Sequence, residues 1–322
     1  MCYNVRVKMK KTSRIESAVS DGFEWIHVKS NDNKEIDALR RGFKLHPIDC
    51  KETLPPIQRP KLVMREDYLF MILLYPVYDR KTGVIRTSEV DFFISNQRLI
   101  TVNKDGLPAI LKLFDATKAT AHKNTKSDKV CSVEDVGHVL YLLLNNLLED
   151  VSPILIHLSE DIDNLESRMF KEFEKGLIEE LLRVKTNIVN VRKALQGHKS
   201  VIRNLIRYSE GRFPIKELEV YFERLVEQTK ELWDTLEVQR DSINALHETN
   251  ASLIDFRINE IMKTLTIFSV IVFPMTLLAA IFGMNAKYMP FVDGEYGFWK
   301  ILVLMSLCIL SMLFFFKKKR WI

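Results

Sequence analysis

Carboxylates recur every seven residues along the second half of the chain. Glu227, Asp234, Asp241, Glu248 and Asp255 share one register, which continues through Met262, Ser269, Thr276 and Gly283. A companion seam runs Asn259, Thr266, Phe273, Ala280. Carboxylate, hydroxyl and amide oxygens suit hard, hydrated cations rather than soft ones. A seven-residue period keeps one stripe on a common axis when helices supercoil slightly, since a straight helix drifts by ~20° per heptad. An acidic stripe alone is ordinarily a solvated face. This one enters an apolar segment without changing face and takes Ser269 and Thr276 with it, which a solvated face has no reason to do and a cation path does.

The element that must position the stripe is a helix. Residues 216–282 contain no glycine, and their only proline is Pro274, so nothing before the last few turns forbids continuity. At ~1.5 Å per residue the helix would be roughly 100 Å long, more than a globular core can bury. Its end is apolar: residues 265–282 are 18 positions without a charge, and residues 298–316 are 19 with only Lys300 near the start. Each approaches the ~20 residues that cross a bilayer's hydrocarbon core, so the chain is expected to meet a lipid bilayer with a two-span hairpin. Lys317, Lys318, Lys319 and Arg320 follow the second span, whereas the connection at 283–297 sets Lys287 against Asp293 and Glu295. That bias places both termini in the cytoplasm, with the spans in the inner or plasma membrane. No apolar run of signal-peptide length opens the chain. Cys2, Cys50, Cys131 and Cys308 form no CxxC pair, as a reducing compartment predicts.

The first part of the chain reads as mixed α/β. The averages resemble a soluble protein, with a formal charge of +5 over 322 residues, only because the apolar residues pool at one end. Residues 23–28 alternate as a strand and 34–43 have helical spacing. Pro47, Pro55, Pro56 and Pro60 mark a turn-rich segment, and strand-like runs follow at 61–65, 68–75, 85–95 and 98–102. The nearly unbroken apolar run at 68–76 predicts a central, buried strand. The polar stretch 117–129 is a plausible boundary. Ser132 then reads as an N-cap, with Glu134 and Asp135 in the first turn of a helix that Pro153 kinks and that ends near 173. The chain turns near Gly176, and a second long helix reaches about 208 before Gly211 and Pro214 break it.

Residues 183–207 of that helix hold Lys185, Arg192, Lys193, Lys199 and Arg203 and no acid. Without an interleaved aromatic platform or a reading motif, they do not indicate nucleic acid. Residues 216–263 carry 11 acids and 6 bases, so the basic helix is a counter-charge to the acidic one, or to anionic lipid. There is no P-loop, GxSxG or HExxH, and the seven histidines are dispersed, so nothing recommends an enzyme.

Where the first charge-free span ends, the sequence reads Phe282, Gly283, Met284, Asn285, then Tyr288, Met289, Pro290. With a second span and a basic end beyond it, this resembles the CorA family of divalent-cation channels. His46 and Pro47, Arg59, Pro60 and Lys61, and Asp67 to Phe70 are similar to that family's cytoplasmic signature, so the resemblance covers essentially the whole chain. It implies an α+β protein with a cytoplasmic α/β domain at 1–130, a long-helix funnel at 131–260 and a transmembrane pore domain at 261–322. It also implies a homopentamer that passes Mg2+ inward, with Co2+ or Ni2+ as minor cargo, gated by cytoplasmic divalent cation. Gly283, Met284 and Asn285 would form the selective mouth. Mg2+ sheds its waters reluctantly, so a neutral amide oxygen at Asn285 and backbone carbonyls near Gly283 would accept hydrogen bonds from its hydration shell. Asn259, Met262, Leu265, Ser269, Phe273, Thr276 and Ala280 would line the pore. Phe273, Leu265 and Met262 would be apolar constrictions that gate by dewetting, although Leu265 lies one residue off the stripe.

Two departures from the family pattern stand out. The acidic position expected just beyond the mouth is Lys287 or Phe291 here, with Asp293 and Glu295 displaced further on. Of the two acids that would bridge a regulatory metal between subunits, one matches Glu52 and the other falls on Arg224, leaving Glu223 or Glu227 for a weaker site. Other readings are a zinc transporter of the same family, which a stripe without cysteine or histidine does not favour, and a membrane-tethered coiled-coil sensor or scaffold that transports nothing.

Overall fold

The structure is a computed structural model that describes residues 14–20, 22–122, 135–169, 176–209, 218–284, 296–319 and 321. It divides into two compact units, Met1–Leu246 and His247–Ile322.

In the first unit the described strands are β1 (Ile15–Ser20), β2 (Phe23–Val28), β3 (Lys61–Met64), β4 (Leu69–Asp79), β5 (Val84–Ile94) and β6 (Arg98–Val102). They form a six-stranded sheet in the order β1-β2-β6-β5-β4-β3. Only β2 and β6 pair in parallel among them. The apolar run read as a central strand is β4, buried over its first eight residues but lying next to the edge strand β3. Edge strand β1 (IESAVS) carries too little apolar signal to be read from sequence alone.

Alternation along the strands gives each face its own core. Ile26, Val28, Ile72, Phe93, Ile100 and Val102 pack with Ile36 and Leu39 of α1 (Asn33–Phe43) and Cys50 of α2 (Pro47–Glu52). On the opposite face Trp25 meets Phe114 of α3 (Pro108–His122) edge-on at 5.1 Å, and its indole Nε1 donates to Thr101 Oγ1 at 3.0 Å. Thus Pro47 opens a helix where a turn was expected, because its fixed φ suits the first helical position and its absent N–H would be unpaired there anyway. Helix α3 carries the chain to His122, so the polar stretch read as a boundary begins inside a helix.

The family-like cytoplasmic signature is a structural knot. Asp49 is fully buried and accepts from Arg65 through both oxygens, with Nε at 2.9 Å, and from Tyr68 Oη at 2.6 Å. Tyr68 Oη in turn accepts the His46 N–H at 2.9 Å. Helix α2, the start of β4 and the end of β3 are thereby fixed together.

The helical region is more broken than its spacing suggests. Helices α4 (Val136–Glu149) and α5 (Ser152–Met169) are separate, with the break just before Pro153. Asp135 is the N-cap of α4, accepting from the His138 N–H at 2.7 Å, rather than a first-turn residue; Ser132 and Glu134 lie outside the described residues. Helices α6 (Gly176–Leu195) and α7 (His198–Ser209) part at Gly197, where a Cβ would overlap the Pro60 ring. Glycine at 197 is what lets the segment before β3 approach. Helix α6 also docks on β5: Asn187 Oδ1 accepts from the Ile85 N–H at 2.8 Å, and Asn190 Nδ2 donates to the Ile85 carbonyl at 2.8 Å.

Helix α8 (Glu219–Phe282) is continuous through Pro274, as expected, and α9 (Gly297–Lys318) follows the connection. By length and composition three helical stretches could cross a membrane: Val136–Met169, Glu219–Phe282 and Gly297–Lys318. The first is a core element, since its Val139, Leu140, Leu143, Leu144 and Leu147 are buried in the first unit.

Candidate ion path

In the first unit, α8 buries Phe222, Leu225, Val226, Thr229, Leu232, Leu236, Gln239, Ile243 and Leu246. The heptad acids lie off that face: Glu227, Asp234 and Asp241 are exposed, and so are Glu248 and Asp255 in the second unit. Glu227 pairs with Lys230 at 3.3 Å and Asp241 with Arg240 at 2.8 Å, both exposed ion pairs of the kind that contribute ~0–1 kcal/mol. The stripe therefore contributes field rather than packing. The expected counter-charge between helices is present at Arg192 of α6, which bonds Glu237 of α8 at 3.2 Å and lies 5.0 Å from the Trp233 ring centroid.

In the second unit the apolar end of α8 has two faces. Ile267, Ile271, Met275, Leu278 and Phe282 are half-buried at helical spacing. Asn259, Met262, Leu265, Thr266, Phe273, Thr276, Ala280 and Gly283 are exposed, Phe273 by 71%. Ser269 is half-buried and departs from its register mates. The hydroxyls of Thr266 and Thr276 donate back to the Met262 and Val272 carbonyls at 2.7 and 2.9 Å. Each hydroxyl proton is thus engaged, and its oxygen lone pairs face outward as acceptors.

At the end of α8 the Gly283 N–H donates to Ala279 O at 2.9 Å and the Met284 N–H to Ile281 O at 3.3 Å. A Cβ on Gly283 would sit 2.9 Å from the Ala279 carbonyl oxygen, a backbone atom that cannot yield cheaply. Glycine at 283 thus lets the backbone close this last turn, with the Ala279 carbonyl held by the Gly283 N–H. Asn285, Lys287, Phe291, Asp293 and Glu295 lie outside the described residues.

The acids read as a regulatory site are not gathered within the chain. Glu52 pairs with Lys61. Glu223 and Glu227 line a groove of about 410 Å³ between α7 and α8 with Arg203 and Arg207. Among the described residues no group of three or more His, Cys, Asp or Glu is placed to hold a metal ion. Sequence reading named Lys61 and Arg203 but did not pair them with these acids. Lys61 was visible beside Pro60, and Arg203 and Arg207 repeat at the same four-residue spacing as Glu223 and Glu227.

An α/β unit joined to long helices and two C-terminal apolar helices defines an α+β class that occurs in solved proteins. The fold is shared with the CorA magnesium transporter of Methanocaldococcus jannaschii (TM-score 0.80, 24% identity, 95% of this chain and 93% of that one). In sequence, the chain is 27% identical to the cobalt/magnesium transport protein CorA of Thermotoga maritima, over 97% of this chain and 88% of that protein. It is 26% identical to the cobalt/magnesium transport protein CorA of M. jannaschii, over 92% and 91%. The model of the CorA-like Mg2+ transporter family matches residues 20–318, and the chain belongs to that family, which is one of transporters rather than enzymes.

Proposed function

We propose that the chain is a membrane channel for Mg2+, with Co2+ as a second cargo suggested by the names of its relatives, and Ni2+ as a further one. The observation that carries the reading is the exposed polar residues Asn259, Thr266 and Thr276 of the two adjacent seams on the apolar end of α8, in a chain of this family. Copies would assemble as a homo-oligomer, a pentamer by resemblance to the family, with these seams turned to a shared axis. The heptad acids draw cations by their summed potential, and hydroxyl, amide and carbonyl oxygens replace contacts of the outer hydration shell. Phe273, Leu265 and Met262 are the apolar constrictions, and Gly283, Met284 and Asn285 the selective mouth.

The same reading divides the chain into a cytoplasmic domain at 1–130, a funnel at 131–260 and a pore at 261–322. The basic end after α9 sets both termini in the cytoplasm. Feedback by internal Mg2+ through Glu52, Glu223 and Glu227 would join acids of neighbouring copies, and Arg224 weakens it. The decisive experiment is Mg2+ uptake into liposomes by the unaltered protein and by Asn285→Ala. Loss of uptake in the variant supports the mouth. Equal uptake in both removes it, and no uptake in either favours a tethered scaffold.

A further inference from the structure

Strand β5 carries two carboxylates on one face, Glu89 and Asp91, which the ion path does not use. Asp91 is 2% exposed, and its Oδ1 has no hydrogen-bond donor among the described residues. Glu89 Oε2 accepts the Gln58 N–H, and Asp91 and Glu89 lie within hydrogen-bonding reach of each other. Two carboxylates can share such a contact only through a proton, and a buried anion without a donor is costly. Both residues line a cavity of about 310 Å³ with Pro55, Pro56, Arg86 and Lys104.

The surrounding charges do not supply the missing donor. Lys61 of β3 is engaged by Glu52 of α2, and Arg86 of β5 by Asp105 at 2.7 Å. Lys104, after β6, is exposed at the cavity wall. Burial, and then the neighbouring Glu89 charge, push the Asp91 carboxyl well above the usual range. Burial likewise pushes Glu89 up to about 7.

We propose that Glu89 and Asp91 hold one shared proton that latches the segment 55–60, so that its release frees the segment from the sheet. With the proton in place, Asp91 Oδ1 is satisfied and Glu89 presents its other oxygen to the Gln58 N–H. Without it, two touching anions repel, and Glu89, the less buried of the pair, swings into the cavity and lets go of Gln58. The segment so released ends at Pro60, which packs on Gly197, and precedes Lys61, which holds Glu52.

Hydrogen exchange of the full-length protein in detergent, corrected for intrinsic rates, tests the latch. Protection of the Gln58 amide should fall about tenfold per pH unit from about pH 5 to about pH 7 and then level off, the behaviour of one linked proton. In Asp91→Asn, and independently in Glu89→Gln should the first variant fold poorly, protection should be flat over that range. A pH slope that survives in a folded variant overturns the proposal, as does a flat profile in the unaltered protein.

Discussion

Tyr68 donates its phenolic proton to the buried carboxylate of Asp49 at 2.6 Å. The pair spans two elements, and Arg65 supplies the balancing charge from a third position. Tyr68→Phe removes one donor from a buried anion and should cost about 1–3 kcal/mol. Asp49→Ala strands Arg65 and Tyr68 together and should cost about 3–5 kcal/mol. Thermal unfolding of the two variants beside the parent checks the order; a Tyr68→Phe loss equal to that of Asp49→Ala would contradict it.

Gly197→Ala puts a methyl into the Pro60 ring, and overpacking of this kind costs about 1–3 kcal/mol. The nearest atom is the Pro60 Cβ, so a lowered melting midpoint that is recovered in part when Pro60 is also made Gly, but not when it is made Ala, would identify the contact as the cause.

Acid should loosen the first unit through its buried histidines. His198, edge-on to Tyr75 at 5.0 Å, and His27 are both held by burial at about 4, below the ordinary 6.5. A depressed folded value means that the unfolded chain binds the proton more readily. The stability each contributes is therefore present above 6.5 and is lost as pH falls towards 4. His198→Phe should flatten the decline of the melting midpoint between those values, and an unchanged decline would exclude His198 as a source. The Glu89 and Asp91 pair works with the opposite sign, since raised folded values give stability that is lost as pH rises towards about 7.

Phe273→Ser replaces a proposed apolar ring by hydroxyls. Uptake of Mg2+ should rise on the order of tenfold, equivalent to ~1.4 kcal/mol off the barrier. Unchanged uptake would place the constriction elsewhere on α8.

Arg224→Ala should sharpen inhibition of uptake by internal Mg2+, because the substitution removes a fixed positive charge from the proposed feedback site. An inhibition curve identical to the parent's would show that Arg224 has no part in it.

The long helix, its acid register and the two apolar spans were legible because a period and a hydrophobic run are properties of one segment. The strands β2 to β6 were legible for the same reason. What escaped depends on residues far apart in the chain. Strand β1 is defined by pairing with β2 more than by its own composition. The parting of α6 and α7 reflects Gly197 meeting Pro60, 137 positions earlier. That Glu52 is held by Lys61 could not be read from spacing, since the strand direction decides which side chains meet. Nor does a heptad count reveal that Ser269 turns partly inward while Phe273 stands out.

Strand β5 outruns its neighbour β6, which pairs only with residues 91–94, so the ladder groups nearer its start face no strand on that side. Side-chain amides stand in for the missing partner: Asn187 and Asn190 take both backbone groups of Ile85, and Asn103 donates to the Glu89 carbonyl at 2.8 Å. An uncovered sheet margin is an invitation to foreign strands. Here two asparagines of α6 and a third just after β6 occupy the backbone groups that a foreign strand would need, a protective role that no transport assay would detect.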